Sequence, residues 1–131
     1  FYSLTASHNG YEKKFGYIHS RSIKILKKTD KIFGHDQLKK VQNYSNSVVY
    51  SVRFHIYPNI KIVNTKGGNS VLISLPNGEG WLLQSDTNVF KIEKGIFFGY
   101  KNKIINNESI SMFGNTSETS TSIKWTIERV V

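Results

Sequence analysis

The chain has 131 residues, no cysteine and a formal net charge of +9 at pH 7. This length suits one domain that buries its own core, and the missing cysteines exclude disulfides and thiolate metal sites. No apolar run approaches the roughly 18 residues that cross a bilayer, so the sequence predicts no membrane-spanning helix. Residue 1 is Phe rather than Met, and we expect the numbering to begin inside a longer protein.

Short segments rich in Ile, Val, Phe, Tyr and Thr alternate with clusters of Asn, Gly, Ser and Asp along the whole chain. This pattern predicts strands joined by turns, and no window has the apolar periodicity of a helix. In chain order we expect strands at 2–8, 20–28, 31–38, 48–56, 59–64, 70–75, 81–84, 89–93, 96–100, 104–112 and 122–129. Gly34 is a candidate β-bulge, and 39–47 and 114–121 are expected to be loops.

These strands recur about every ten residues, without a fixed-period repeat or a shift in composition. The sequence therefore predicts one all-β domain over residues 1–131, an antiparallel, jelly-roll-like β-sandwich of about ten strands with little or no helix. The segment 48–56 has the clearest alternation. Its expected core face carries Val48, Tyr50, Val52, Phe54 and Ile56, and its opposite face carries Val49, Ser51, Arg53 and His55.

Familiar enzyme signatures are missing from the chain. It contains no G-x-S-x-G, no phosphate-binding glycine loop and no H-E-x-x-H, and its carboxylates are few and scattered. With four histidines and no carboxylate cluster near them, a closed metal site is not expected either. His35 beside Asp36 is expected to stabilise a turn. The chain alone thus lacks the parts of a complete enzyme.

One segment concentrates polar residues with useful chemistry. If residues 8–21 fold back as a hairpin, two histidines approach each other beside a tyrosine and an arginine. A polysaccharide lyase needs a group that neutralises the uronate carboxylate, a base, and an acid for the leaving oxygen; plain sugar binding uses the same residue types. Both roles stay open for the candidate substrate-binding residues His8, Tyr11, His19 and Arg21, with Arg53 and His55 as weaker candidates.

The charge of +9 favours polyanionic partners, although a Lys-, Asn- and Ile-rich composition explains it equally well. Nucleic acid is the less favoured polyanion because the aromatic residues needed for base stacking are expected in the core, namely Phe15, Phe54, Phe97 and Trp125. We expect neither nucleic acid nor a membrane as a partner.

Five motifs, in this order, resemble the C-terminal β region of heparinase II/III-like proteins. They are S-H-N-G-Y-x-x-x-F-G-x-x-H-S-R from Ser7, F-G-H-D-Q-L from Phe33, R-F-H-I-Y-P from Arg53, S-V-L-I-S-L-P-N-G-E-G-W from Ser70 and I-K-W-T-I-E-R from Ile123. Two positions depart from the family pattern, which often has a second His at Tyr57 and Glu at His35. Together the motifs cover nearly the whole chain.

The resemblance implies a larger parent with an N-terminal α/α toroid, eliminative cleavage of uronate-containing polysaccharides, and catalytic residues that lie mostly before Phe1. It implies an accessory C-terminal β domain that helps to bind acidic polysaccharide and supports the toroid, in a periplasmic or secreted parent. We expect no cofactor in this chain, and any divalent metal of the parent to bind upstream. The alternative is a stand-alone carbohydrate-binding or purely structural module without catalysis.

Overall fold

The computed structural model describes residues 2–8, 16–41, 49–65, 67–85, 89–98, 104–116 and 120–131. Antiparallel strands make up most of these ranges, with a 3-10 turn at Lys27–Thr29 between two of them. The strands are β1 (Tyr2–His8), β2 (Tyr17–Leu26), β3 (Lys31–Lys40), β4 (Val49–His55), β5 (Lys61–Asn64), β6 (Ser70–Ser74), β7 (Gly80–Ser85), β8 (Phe90–Phe98), β9 (Ile104–Asn115) and β10 (Ser120–Arg129). Within these ranges, no helix has the length and hydropathy that crossing a membrane requires.

The strands form two sheets. The larger sheet has seven strands in the order β1-β2-β3-β10-β7-β6-β5, and the smaller has three in the order β4-β9-β8. Residues of both sheets share one hydrophobic core, which includes Val71, Leu83, Phe90, Ile110 and Trp125. Each fully buried side chain of this kind contributes roughly 1.5–3 kcal/mol. The prediction of an antiparallel all-β fold with about ten strands is confirmed.

Several strands run further than the sequence predicts. Lys39 and Lys40, expected in a loop, continue β3 because they pair with Ile18 and Tyr17 of β2. The expected pair of short strands at 89–93 and 96–100 is a single strand, β8, because its backbone pairs with β9 without interruption through Gly95. Strands β9 and β10 likewise extend into the predicted loop at 114–121, where residues 117–119 lie outside the described ranges, as do residues 42–47 of the other loop.

The predicted bulge at Gly34 is wrong. Gly34 pairs in continuous register with Ile23 on one side and Trp125 on the other. A Cβ atom at this position would lie 2.0 Å from Cε2 of the Trp125 ring. Glycine is therefore present so that the indole can cross β3 closely, and the strand keeps its pairing.

The larger sheet is wider than the sheet that covers it. The hydrophobic core cluster takes its buried residues of the large sheet from β5, β6, β7 and β10, and Tyr17 of β2 is also buried. None of the β1 side chains that the structure describes, at positions 3–7, is buried. Leu4 of β1 is 66% exposed and Ile25 of β2 is 37% exposed, although both occupy the register positions that face inward. We call this uncovered inner surface of β1 and β2 the overhang.

Candidate functional site

A single buried carboxylate organises the most polar part of the interior. Asp36 lies in the middle of β3 and is 1% exposed. Its Oδ1 accepts hydrogen bonds from Arg21 Nε at 2.7 Å and from His19 Nε2 at 2.8 Å, and its Oδ2 accepts one from Trp125 Nε1 at 2.9 Å. These four residues form what we call the Asp36 cluster.

Strand pairing explains why these side chains meet. Arg21 of β2 lies directly opposite Asp36, and β10 flanks β3 on its other side with Ile123 opposite Asp36. Neighbouring strands are about 4.8 Å apart, so long side chains on the same face of adjacent strands reach the carboxylate. His19 and Trp125 each lie two residues along their strand from these positions, and therefore on the same face.

The carboxylate of Asp36 is held in its charged form. Burial alone would raise the pKa of Asp36, but hydrogen bonds from Arg21, Trp125 and His19, together with the charge of Arg21, outweigh burial and hold the pKa below its ordinary value. An ionised carboxylate only accepts hydrogen bonds, so the Nε2–H of His19 is the donor. Asp36 thus fixes the ring orientation of His19 and the guanidinium orientation of Arg21.

The Asp36 cluster joins three of the motifs found in the sequence. His19 and Arg21 end the first motif, Asp36 lies in the second and Trp125 lies in the last, 89 residues away from Asp36. The motifs are therefore the parts of one tertiary contact, which the order of motifs along the chain does not reveal.

A cavity of about 270 Å³ opens beside the cluster, between the two sheets. Tyr17, His19 and Arg21 line one wall and Arg53 of β4 lines the other. Its full lining is Tyr17, His19, Arg21, Asp36, Leu38, Val49, Tyr50, Ser51, Val52, Arg53, Thr116 and Ile123. Ligand pockets usually measure about 300–1,000 Å³, so this cavity suits one small group rather than a segment of polymer.

Both arginines of the cavity are partly exposed and both have acidic partners. The Arg21 side chain is 35% exposed, and its guanidinium carbon lies 5.8 Å from the centre of the Phe54 ring. The Arg53 side chain is 46% exposed and donates to Glu93 at 3.2 Å. Their charges are thus balanced within the domain, and both side chains line the cavity.

The candidate residues have different positions in the structure. The backbones of His8 and His19 pair in the β1–β2 ladder, as a hairpin over this segment requires. The side chain of His8 and all of Tyr11 lie outside the described structure. His19 and Arg21 meet on Asp36. Arg53 lies across the cavity from them, and His55 is an exposed residue of β4 that does not line the cavity.

Sequence reasoning missed the residue at the centre of the site. The expected turn at His35 and Asp36 is wrong, because both lie within β3 and alternate between its two faces. Asp36 shares its face with Ile32, Gly34 and Leu38, an inward-facing set by period-two counting. A carboxylate in such a position needs charged or hydrogen-bonding partners, and this was the signal available in the sequence.

The sequence correctly assigned Trp125 to the core. The centres of the Trp125 and Phe54 rings lie 4.9 Å apart in an edge-on contact, which supports the assignment for both rings.

A second polar cluster joins the fourth motif to the last at the C-terminal end of β10. Glu79 accepts a hydrogen bond from Trp81 Nε1 at 3.1 Å, and its other oxygen lies 3.9 Å from Arg129. Arg129 also lies 3.6 Å from Asp30. These four residues form the Arg129 cluster, whose charged side chains are between 29% and 49% exposed. Across the described ranges, no three His, Cys, Asp or Glu side chains group closely enough to hold a metal ion.

Comparisons with known proteins identify a family and similar folds. A family model described as "Heparinase II/III-like, C-terminal" matches residues 2–126. The heparan sulfate lyase HepC of Pedobacter heparinus has a similar structure, with a TM-score of 0.79 at 16% identity over 97% of this chain and 19% of that one. A heparinase III described as the BT4657 gene product has a TM-score of 0.73 at 16% identity, over 98% of this chain and 19% of that one.

A curated relative has a name of a different kind. "FtsZ-localized protein C" of Caulobacter vibrioides is 29% identical over an alignment of 90 residues, with a coverage of 63% of this chain and 16% of that protein. The chain therefore spans less than a fifth of the length of the proteins that it resembles. The match to the family model covers nearly all of the chain, which belongs to the heparinase II/III-like C-terminal family.

Proposed function

We propose that the chain is the accessory C-terminal β domain of a heparinase II/III-like polysaccharide lyase, where it helps to bind a uronate-containing polysaccharide and supports the catalytic toroid. The observation that carries this proposal is the Asp36 cluster. A buried, ionised carboxylate holds Arg21 and His19 in fixed orientations at an open cavity. Such preorganisation lowers the entropy cost of binding.

Arginine is suited to the acidic part of this substrate. Its planar guanidinium recognises a carboxylate through paired, charge-assisted hydrogen bonds. Asp36 contacts Nε of Arg21, and the side chain remains 35% exposed. A cation beside a uronate carboxylate also stabilises the negative charge that develops when the adjacent proton is removed. Arg21 and His19 are the binding residues of this proposal, and Asp36 is a positioning residue.

The overhang is the surface through which the domain would support the catalytic toroid. Strands β1 and β2 extend past the three-stranded sheet, with Leu4 and Ile25 exposed on their inner face. Similar structures contain about five times as much chain as this domain. Interfaces between domains of one chain typically bury 600–1,500 Å², and we propose that the preceding part of the parent covers the overhang.

A second candidate is a purely structural module, and one observation favours it. Arg21 and Arg53, the two arginines of the cavity, already balance the charges of Asp36 and Glu93. In this case the Asp36 cluster serves folding alone. The curated relative named for its localisation with FtsZ carries no lyase name, which is consistent with a family whose members differ in role.

Turnover of the full-length parent on a uronate polymer distinguishes the two candidates. Arg21→Lys keeps the positive charge but removes the planar guanidinium group. His19→Gln keeps a hydrogen-bond donor but removes the imidazole ring. We expect each to lower kcat/KM by about tenfold or more, because a hydrogen bond to a charged group contributes roughly 1.5–3 kcal/mol. Arg129→Lys is the matched control, since Arg129 lies in the other cluster.

Unfolding curves of the same variants complete the test. Under the binding proposal, Arg21→Lys loses activity at temperatures where it remains folded. Unchanged turnover in a folded Arg21→Lys protein would contradict the proposal. A loss of activity that only follows the unfolded fraction would favour the structural module.

A further inference from the structure

The three-stranded sheet ends in a strand edge on the side of the overhang. β4 is the outer strand of that sheet, and among the described residues it pairs with β9 alone. At the other end of the small sheet, Asn64 of β5 donates to the backbone carbonyl of Phe90 in β8, so the β4 edge faces β2 and β1. The edge of an outer strand carries backbone N–H and C=O groups with which another strand can pair.

The register of β4 determines which of its backbone groups point outward. The N–H of Ile56 donates to the carbonyl oxygen of Glu108 at 3.2 Å, and these two residues are the next opposite pair after the β4–β9 ladder. In an antiparallel pair, hydrogen-bonded and non-hydrogen-bonded positions alternate. Phe54 therefore bonds to β9, whereas the backbone groups of Arg53 and His55 point away from it. We call these outward groups of Arg53 and His55 the outer edge of β4.

Two contacts between the sheets fix how β4 lies over β2. The hydroxyl of Tyr17 donates to Thr116 Oγ1 at 3.0 Å, close to the start of β4. Arg21 lies 5.8 Å from the centre of the Phe54 ring, close to the end of β4. The two strands therefore run in the same direction, and the residues of β2 that follow Arg21 lie toward the end of β4.

The two halves of the β4 edge adjoin different features. Ser51 points outward by the same alternation, and it lines the cavity beside the Asp36 cluster. His55 lies outside the cavity lining, at the end of β4 toward which the overhang extends. Leu4 of the overhang pairs with Ile23, two residues past Arg21, and is 66% exposed. A strand beside His55 would therefore pair with the outer edge of β4 and cover apolar side chains of the overhang.

We propose that an extended segment of the parent protein, from the part that precedes this chain, adds a strand to the small sheet at the outer edge of β4. Strand addition takes its affinity from main-chain hydrogen bonds and its specificity from alternate side-chain positions. The inward side chains of the added strand are apolar, because they pack on Leu4 and Ile25. The proposal deepens the supporting role in the proposed function, and it rests on that function for the parent that supplies the segment.

Two observations favour the parent over a second copy of the chain as the source of this strand. β1, the first strand of the chain, lies on the same side of the sandwich as the outer edge of β4, so a preceding segment would enter beside that edge. Similar structures contain about five times as much chain as this domain. A segment of the same chain is also present at a high effective concentration, which a second copy is not.

Backbone hydrogen exchange in the full-length parent, resolved to single residues, tests the proposal. The amide of Phe54 bonds to β9 with or without an added strand, so it is the internal reference. We expect the amides of Arg53 and His55 to exchange within about tenfold of the Phe54 rate, because each donates to the added strand. Ser51 is the matched control, since its amide has the same outward orientation but lies at the cavity. The Ser51 amide should exchange at least about a hundredfold faster than that of Phe54.

A pair of substitutions tests whether the added strand also covers the overhang. Leu4→Asp places a charge where the added strand should pack. In the parent we expect it to speed exchange of the His55 amide at least about tenfold, a free-energy change of about 1.4 kcal/mol. Val63→Asp is the control, because Val63 is 58% exposed on β5, at the far edge of the same sheet, and should leave that rate unchanged.

The contrary outcomes overturn this proposal without deciding the proposed function. Rapid exchange at Arg53 and His55, or equally slow exchange at Ser51, contradicts an added strand at this place. Protection that rises with protein concentration would assign the strand to a second copy and also contradict the proposal. The proposed function is judged separately, by turnover of the Arg21→Lys parent. If Arg21→Lys loses turnover while Arg53 and His55 exchange rapidly, the strand proposal fails and the proposed function stands.

Discussion

The Asp36 and Arg129 clusters have the same parts in different surroundings. Each contains an acid that accepts a hydrogen bond from a tryptophan indole and pairs with an arginine. Asp36 is 1% exposed, whereas the charged groups of the Arg129 cluster are between 29% and 49% exposed. Water screens the second cluster and replaces any contact that it loses, so similar contacts have very different importance for stability.

Removal of the buried acid should have the largest effect. Asp36→Ala removes a carboxylate that is 1% exposed and accepts hydrogen bonds from Arg21, His19 and the buried Trp125. Breaking such a buried pair typically costs about 3–5 kcal/mol. Urea unfolding measures this loss, with Glu79→Ala as the matched control, which should cost about 1 kcal/mol or less. Equal losses would mean that burial does not distinguish the clusters.

Displacement of the Trp125 indole should have the next largest effect. Gly34→Ala places a methyl group about 2 Å from a ring that is 4% exposed and has little room to move. We expect a loss of about 1–3 kcal/mol in the free energy of unfolding. Gly80→Ala is the control, because its nearest neighbour is a methyl group of the exposed Val131 at 3.3 Å. A Gly34→Ala protein as stable as the control would contradict the close contact.

Acid should weaken the Asp36 cluster specifically. The pKa of the Asp36 carboxyl is lower in the folded chain than the ordinary value of 3.8. The unfolded state therefore takes up the proton first as the pH falls. The stability that the ionised carboxylate contributes is complete above that ordinary value and is lost as the pH falls through the lowered, folded pKa. Urea unfolding between pH 6 and about pH 3 should therefore show a steeper loss for the natural sequence than for Asp36→Asn. Parallel curves would show that the carboxylate carries no such linkage.

The smallest effect is expected at Arg129. Arg129→Gln removes exposed pairs with Asp30 and Glu79, and measured costs for such pairs are about 0–1 kcal/mol. The loss should diminish further at high salt, because the charges are accessible to counterions. If Arg129→Gln lowered the free energy of unfolding by more than about 2 kcal/mol, the exposed cluster would matter as much as the buried one, which contradicts the comparison.

Local patterns predicted the strands well. The bounds of β1 agree with the expected 2–8, and β4 has the expected faces, with Val52 buried and Val49 and Arg53 exposed. Val48 of the expected core face lies outside the described ranges. Alternation of apolar residues is a local property, so a sequence displays it directly.

The errors have a common physical cause. Gly34 and Asp36 owe their roles to Trp125, which reaches them only because β10 pairs with β3 across about ninety residues of chain. A glycine in a strand indicates either a bulge or a close approach, and the partner that decides between them is distant in sequence. The motifs indicated which residues matter, but only the pairing of β10 with β3 showed that three of the motifs form one cluster.

The two indole N–H signals of the chain provide the most direct test of the binding role of the Asp36 cluster. Trp125 lies in the Asp36 cluster and Trp81 in the Arg129 cluster, so one proton–nitrogen correlation spectrum follows both. We propose a titration of the chain with a hyaluronan oligosaccharide at moderate salt, at which diffuse attraction to the net positive charge is screened. The account predicts that the Trp125 signal moves and saturates while the Trp81 signal stays in place. A Trp125 signal that does not move in the folded chain would contradict the binding role of Arg21 and His19.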